Sequence, residues 1–459
     1  MFTKDSSGGS AEEKDGVGDI VGNNTYHPGT ADDEYDELHV RCPPHTTERK
    51  IVMRIDWRLV PFLCILYLLA FLDRVNIANA RSFHLMEDLK LQGVEYNTGF
   101  VQNYGGLLAT RFFLGLFEAG MFPGCFYLLS MWYRRSEAQK RYSLFFSSTS
   151  LAGAFGGLLA SAIGKMDGIR GYHGWRWIFI LEGILTCAIA LLFFFIFPSF
   201  PEQAKWLNEE ERAYVKARLQ ADTGRNAAER KVSFRDFLTV MKDHRVWLGG
   251  LMYFGLIVPA YGYAYFAPTI ISTYNYNPIQ TQLHSVPPWA ASFGFSLLIA
   301  ALSDATKLRA PFALAPLALS IAGFGILLSV HDKTQVQYAA LCLVTMGTYG
   351  AMPIIVCWFN MNLGGHHRRS IGTAWQVGFG NIGGIIATYS FLSTDAPRFV
   401  KGYAIAISFT ILSIIACTIY LISIIVENRK RAKSARNVGL SEYEKTEMGD
   451  LNPEFKYMY

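Results

Sequence analysis

Along most of this chain, runs of about twenty apolar residues alternate with short polar or basic stretches. A helix rises about 1.5 Å per residue and the hydrocarbon core of a bilayer is roughly 30 Å thick, so each run can cross a membrane as a helix. The pattern predicts ten spans, over roughly 58–80, 105–132, 143–164, 175–198, 246–272, 286–303, 310–330, 336–359, 370–393 and 403–426. Between the fourth and fifth the pattern changes. Residues 199–245 open with Phe200-Pro201-Glu202 and run through Glu209, Glu210, Glu211, Arg212, Lys216 and Arg218, which predicts an amphipathic helix at a membrane surface.

The short basic stretches set the orientation. Arg134, Arg135, Lys140 and Arg141 follow the second span, Lys307 and Arg309 the sixth, Arg368 and Arg369 the eighth, and Arg429, Lys430, Arg431, Lys433 and Arg436 the tenth. All fall on the side of Arg49, Lys50 and Arg54, so the positive-inside rule predicts that both termini and the 199–245 segment are cytosolic. The expected organisation is a disordered acidic cytosolic tail over 1–45 and a first bundle of four spans over 46–198. A linker over 199–245, a second bundle of six spans over 246–427 and a cytosolic tail over 428–459 complete it.

Composition sharpens this picture. The chain is 51% hydrophobic and 17% charged, against roughly 25% charged in an average soluble domain. Its mean hydropathy of +0.19 averages a polar minority with much greasier segments. The first forty residues hold ten acids against Lys4 and Lys14 and show no apolar period, which predicts disorder there. A net charge of +5 is too small and scattered for a nucleic-acid binder. The seven cysteines are odd in number and lie mostly in apolar runs, so no disulfide framework is expected. No Walker loop, zinc signature or serine elbow is present, so neither an enzyme nor a cofactor is expected. Uphill transport without a nucleotide site would draw on an ion gradient.

Ionisable residues inside a span are the informative chemistry, since each costs about 2.5–3.5 kcal/mol there. The first span holds Asp73 and Arg74, which point about 100° apart, with Asn76 and Asn79 just beyond. The second holds Arg111 and Glu118, two turns apart on nearly one face and roughly 10 Å apart along the axis, so each needs a partner from elsewhere. A structural ion pair such as Arg111 with Asp73 is one outcome. The other is an anion site with a proton switch, because a guanidinium presents a flat fork to a carboxylate and a buried carboxyl gains and loses a proton. Glu182 follows Trp175-Arg176-Trp177 and reads as an interfacial anchor. In the second half, Trp358, Asn360, Asn362, Trp375, Gln376 and Asn381 could read a polar substrate or bond helices together. The clusters Gly153/Gly156/Gly157 and Gly378/Gly380/Gly383/Gly384 read as close-packing surfaces.

Longer motifs carry a resemblance. Asp56-Trp57-Arg58-Leu59-Val60-Pro61, the run Leu72–Ala80, the run Arg111–Gly124 and Leu129-Ser130-Met131-Trp132-Tyr133 resemble the fungal anion:cation symporters of the major facilitator superfamily, the allantoate permease family. Ser285-Val286-Pro287-Pro288-Trp289-Ala290 and Gly372–Gly378 with Gly380-Asn381-Ile382-Gly383-Gly384 extend the likeness over about residues 45–440. It runs strongest to the nicotinate-carrying members.

The resemblance implies an all-α membrane protein with the major facilitator fold of two bundles. It implies proton-coupled symport of a small organic anion, nicotinate or another carboxylate, by alternating access, in a monomer at the plasma membrane. By it Asp73 and Glu118 carry protons, Arg74 and Arg111 hold the anion with Asn76, Trp358, Gln376 and Asn381, and Asp304, Lys307 and Arg309 form a cytosolic gating loop. The sequence departs from the family in one respect. Twelve spans are implied, six per half, and about fifty residues carrying two spans are missing between Val94–Gly99 and Phe100–Gly106, as in a splice form or a mis-called intron. The alternatives are therefore an inactive variant or a sensor that binds without transporting.

Overall fold

In the computed structural model, residues 42–81, 83, 104–196, 200–223, 233–364, 366–434 and 455–459 are described. The acidic stretch 1–41, and with it the expectation of disorder, lies outside them, as does the junction at 84–103. Among the described residues every regular element is a helix. The helices are α1 (Glu48–Arg81), α2 (Tyr104–Glu118), α3 (Met121–Ser130), α4 (Arg135–Ile163), α5 (Gly174–Ile196), α6 (Glu209–Thr223) and α7 (Phe234–Met241). There follow α8 (His244–Ser272), α9 (Pro278–Thr306), α10 (Ala310–Ser329), α11 (Thr334–Met361), α12 (His366–Asn381), α13 (Gly383–Thr388) and α14 (Val400–Ser434).

Among the described residues, nine stretches are long and apolar enough to cross a membrane, counting α2 and α3 as one stretch, Ala109–Leu129. The expected span over 370–393 is carried by α12 and the six-residue α13, which meet at Ile382 with helical backbone angles of φ −57° and ψ −30°. The second span likewise passes from α2 to α3 through Gly120, at φ −80° and ψ −18°.

Within the first half, α1 packs on α4 and α5, and the two halves meet where α4 lies along α9. Small residues make that approach possible. A Cβ on Gly157 would stand 2.6 Å from the Ser285 hydroxyl and 2.9 Å from the Gln282 carbonyl, and one on Gly153 would enter the Trp289 ring. The second half is built around α8 and α11, the most enclosed of the spans, with α5 the most exposed. Phe112 and Phe117 on α2 and Phe194 and Phe195 on α5 present bare aromatic faces outward, as a lipid-facing surface requires.

Within the 199–245 segment the described residues form α6 and α7, and α6 docks on the ends of the first-half helices. Buried Arg218 reaches Glu48 at 3.0 Å and Glu137 at 2.8 Å, and Arg54 reaches Glu211 at 3.0 Å. At the start of α8, Asp243 caps the helix through the Arg245 amide and pairs with Arg245 at 3.0 Å and Arg368 at 2.7 Å. Burial pushes its carboxyl upward. The Arg245 bonds and the Arg368 charge outweigh burial and hold it below the ordinary carboxylate range.

Candidate functional site

The charged residues of the first two spans converge. Arg74 and Arg111 project from α1 and α2, and Glu118 ends α2. Arg74 Nε donates to Glu118 Oε2 at 2.9 Å, a pairing across helices that neither helix could make alone. Arg111 donates to the Asp73 backbone carbonyl at 3.1 Å, and its guanidinium lies 5.8 Å from the centre of the Phe179 ring. The structural pair of Arg111 with Asp73, one of the two outcomes considered, gives way to a carbonyl contact, while the direct ion pair links Arg74 and Glu118.

These three side chains line a cavity of about 260 Å³ together with Ile77, Leu114, Gly115, Tyr265, Phe266 and Thr388. Its walls come from α1 and α2 on one side and from α8 and α13 on the other. The volume is just below the roughly 300–1,000 Å³ range of small-molecule pockets, which suits a compact ligand. Two guanidiniums, one carboxylate, Tyr265 and Thr388 supply its polar lining, and a guanidinium fork can accept a carboxylate. An acid and an arginine thus pair directly, and space remains beside them.

Asp73 and Asn381 stand one contact behind the wall. Asp73 touches Arg111 through its carbonyl, and Asn381 accepts from Tyr261 at 3.1 Å while Arg74 donates to the same Tyr261 hydroxyl at 3.4 Å. Three other candidates are engaged elsewhere. Asn76 donates to Glu182, Gln376 to the Gly249 carbonyl at 3.3 Å, and the fully buried Trp358 to the Met458 carbonyl at 2.9 Å. Glu182 is 2% exposed, which corrects its reading as an interfacial anchor; the turn of α5 points it at α1 rather than at the boundary. Arg309 pairs with Asp304 at 2.8 Å, and Lys307 closes α9 with a left-handed φ of 57°, so this loop forms a compact unit away from the cavity. Tyr261, Tyr265, Phe266 and Thr388 were missed in the sequence. The alternation of tyrosines over Tyr261, Tyr263 and Tyr265 was the available signal, since aromatics with polar tips in mid-span need a reason.

The sequence profile of the Major Facilitator Superfamily matches residues 91–388. The chain belongs to this superfamily. It is a multi-pass membrane transporter, similar at 28% identity to the MFS-type transporter cnsO of Penicillium expansum over 90% of this chain and 91% of the relative. It is also 28% identical to the high-affinity nicotinic acid transporter of Saccharomyces cerevisiae, over 92% of this chain and 87% of that one. In fold it resembles a bacterial homologue of the human lysosomal transporter Spinster, crystallised inward-facing and occupied, with a TM-score of 0.54 at 12% identity over 79% of this chain and 95% of that one.

The alignment to the Penicillium transporter runs over 474 residues, longer than the 459 of this chain while taking in only 90% of it. The relative therefore carries residues that this superfamily member lacks internally.

Proposed function

We propose that this chain is a proton-coupled symporter of a small organic anion of the nicotinate type, belonging to the anion:cation symporter branch of the superfamily. The observation that carries the reading is the meeting of Arg74, Arg111 and Glu118 on the wall of one cavity between the two halves. A substrate carboxylate would bridge the two guanidiniums. Glu118 occupies Arg74 when ionised and releases it when protonated, so a proton and an anion load together. Rocking of the halves along the α4–α9 contact, where small residues face each other, would carry both across. Asp73, whose carbonyl holds Arg111, is a second proton carrier in this scheme. The protein acts as a monomer in the plasma membrane, with the ends of the chain and the basic loops, including the Asp304–Arg309 gate, in the cytosol. Uptake of labelled nicotinate into cells expressing the chain, with the outside acid and then neutral, tests the reading. Acid-stimulated uptake supports it, and uptake indifferent to pH refutes the coupling.

One observation favours a second reading, a chain that binds its anion without moving it: the relatives are internally longer. Inserting a two-span segment between Thr98 and Phe100 separates the two. If only the lengthened form accumulates label while both bind it, the second reading holds.

A further inference from the structure

The last five described residues, Phe455–Tyr459, run without regular structure across the ends of α8, α11 and α14 and the α9–α10 loop. Their contacts are those of a recognised peptide. Asn428 on α14 exchanges both amide bonds with the backbone of Tyr457, accepting from its N–H at 3.0 Å and donating to its carbonyl at 2.9 Å. Asn362, just past α11, does the same for Met458, at 2.7 and 3.0 Å. Trp358 adds its indole N–H to the Met458 carbonyl at 2.9 Å, and the Arg309 backbone N–H meets the Tyr459 carbonyl at 2.6 Å.

Side-chain selectivity lies at Tyr457, which is 3% exposed. Two guanidiniums stand at its ring, Arg245 at 4.7 Å and Arg431 at 4.6 Å from the ring centre, and Arg431 donates to its hydroxyl at 3.0 Å. With the segment in place Asn362 and Asn428 are 2% and 7% exposed, so their amide bonds to its backbone are shielded from water. A side-chain amide that reads both backbone groups of one residue does for a peptide what a strand edge does elsewhere: main-chain bonds give affinity and an aromatic pocket gives choice. The pocket has the chemistry for an aromatic ring, since two cations stand within 5 Å of its centre.

We propose that this end of the second half is a peptide-binding site, selective for an extended segment with a tyrosine or phenylalanine in the Tyr457 position, and that it is occupied in cis by residues 455–459. Tethering through the twenty residues 435–454 gives the chain's own segment a high effective concentration, so it excludes a free peptide of the same sequence. The occupant also bonds Arg309, the partner of Asp304, which ties occupancy to the conformation of the α9–α10 loop.

Hydrogen exchange on the full chain in detergent, followed at the Tyr457 and Met458 amides, tests the contact. Both amides should exchange at least about tenfold more slowly than in the free pentapeptide Phe-Lys-Tyr-Met-Tyr. Tyr457→Phe should keep most of that protection and Tyr457→Ala should lose it. A fluorescent copy of the pentapeptide should then bind saturably to the full-length Tyr457→Ala protein and not to wild type. Free-chain exchange in wild type, protection that survives Tyr457→Ala, or a peptide that ignores the Tyr457→Ala protein would each overturn the proposal.

Discussion

Replacing Glu118 by Gln keeps the shape of the side chain and removes its charge, as protonation would. In the wild type Arg74 gives Nε to Glu118 at 2.9 Å, with the two side chains 26% and 14% exposed. A hydrogen bond between charged groups in such a half-buried setting is worth about 1.5–3 kcal/mol net. An incoming carboxylate must displace or share that bond to use Arg74. In Glu118→Gln the competitor is neutral, so anion affinity should rise by about ten- to a hundredfold, the same 1.5–3 kcal/mol expressed as a ratio. Equilibrium binding of labelled nicotinate to purified wild-type and variant protein measures that ratio. A variant that binds as wild type does, or more weakly, would refute the assignment of Glu118 as the switch.

Arg111→Lys keeps the charge but loses the two-pronged fit, so affinity for nicotinate should fall at least about tenfold, or 1.4 kcal/mol, in the same binding assay. Asp243→Asn should lower stability at neutral pH by about 1.5–3 kcal/mol, since Arg245 and Arg368 lose their anion. Because the folded carboxyl is held below its usual range, this contribution is complete above the unfolded value of about 3.9 and fades as pH falls through the folded value; thermal unfolding against pH should show the two proteins converging only in strong acid. Gly347→Ala should cost about 1–3 kcal/mol, because its Cβ would stand 2.5 Å from the Pro316 carbonyl oxygen and the Ser320 nitrogen of α10, whereas Gly325→Ala meets nothing within 4 Å and should leave the melting temperature unchanged.

Hydropathy made the long spans legible because a bilayer imposes one length and one composition on every helix that crosses it. It did not show that the 370–393 segment would divide into α12 and α13 at Ile382. Intramembrane charge likewise pointed to Arg74, Arg111 and Glu118, since burying them demands a reason. It did not reveal which acid meets which arginine: spacing along one helix says nothing about the rotation of its neighbour, and Arg74 rather than Arg111 makes the direct pair. Neutral residues were harder still. Trp358 and Gln376 look alike to substrate-reading amides and indoles elsewhere, yet their partners are the backbone at Met458 and Gly249. Tyr265 and Thr388 reach the cavity through tertiary packing that no local pattern encodes.

Proton movement during transport bears most directly on the reading of this cavity as a coupled anion site. Purified protein in liposomes loaded with a pH-sensitive dye, given nicotinate outside and no imposed gradient, should acidify the interior as the anion enters. The Glu118→Gln protein should bind the anion and acidify the interior much less, with Asp73 as its one remaining carrier. Anion entry without any change of internal pH, or equal acidification by the Gln variant, would contradict the account.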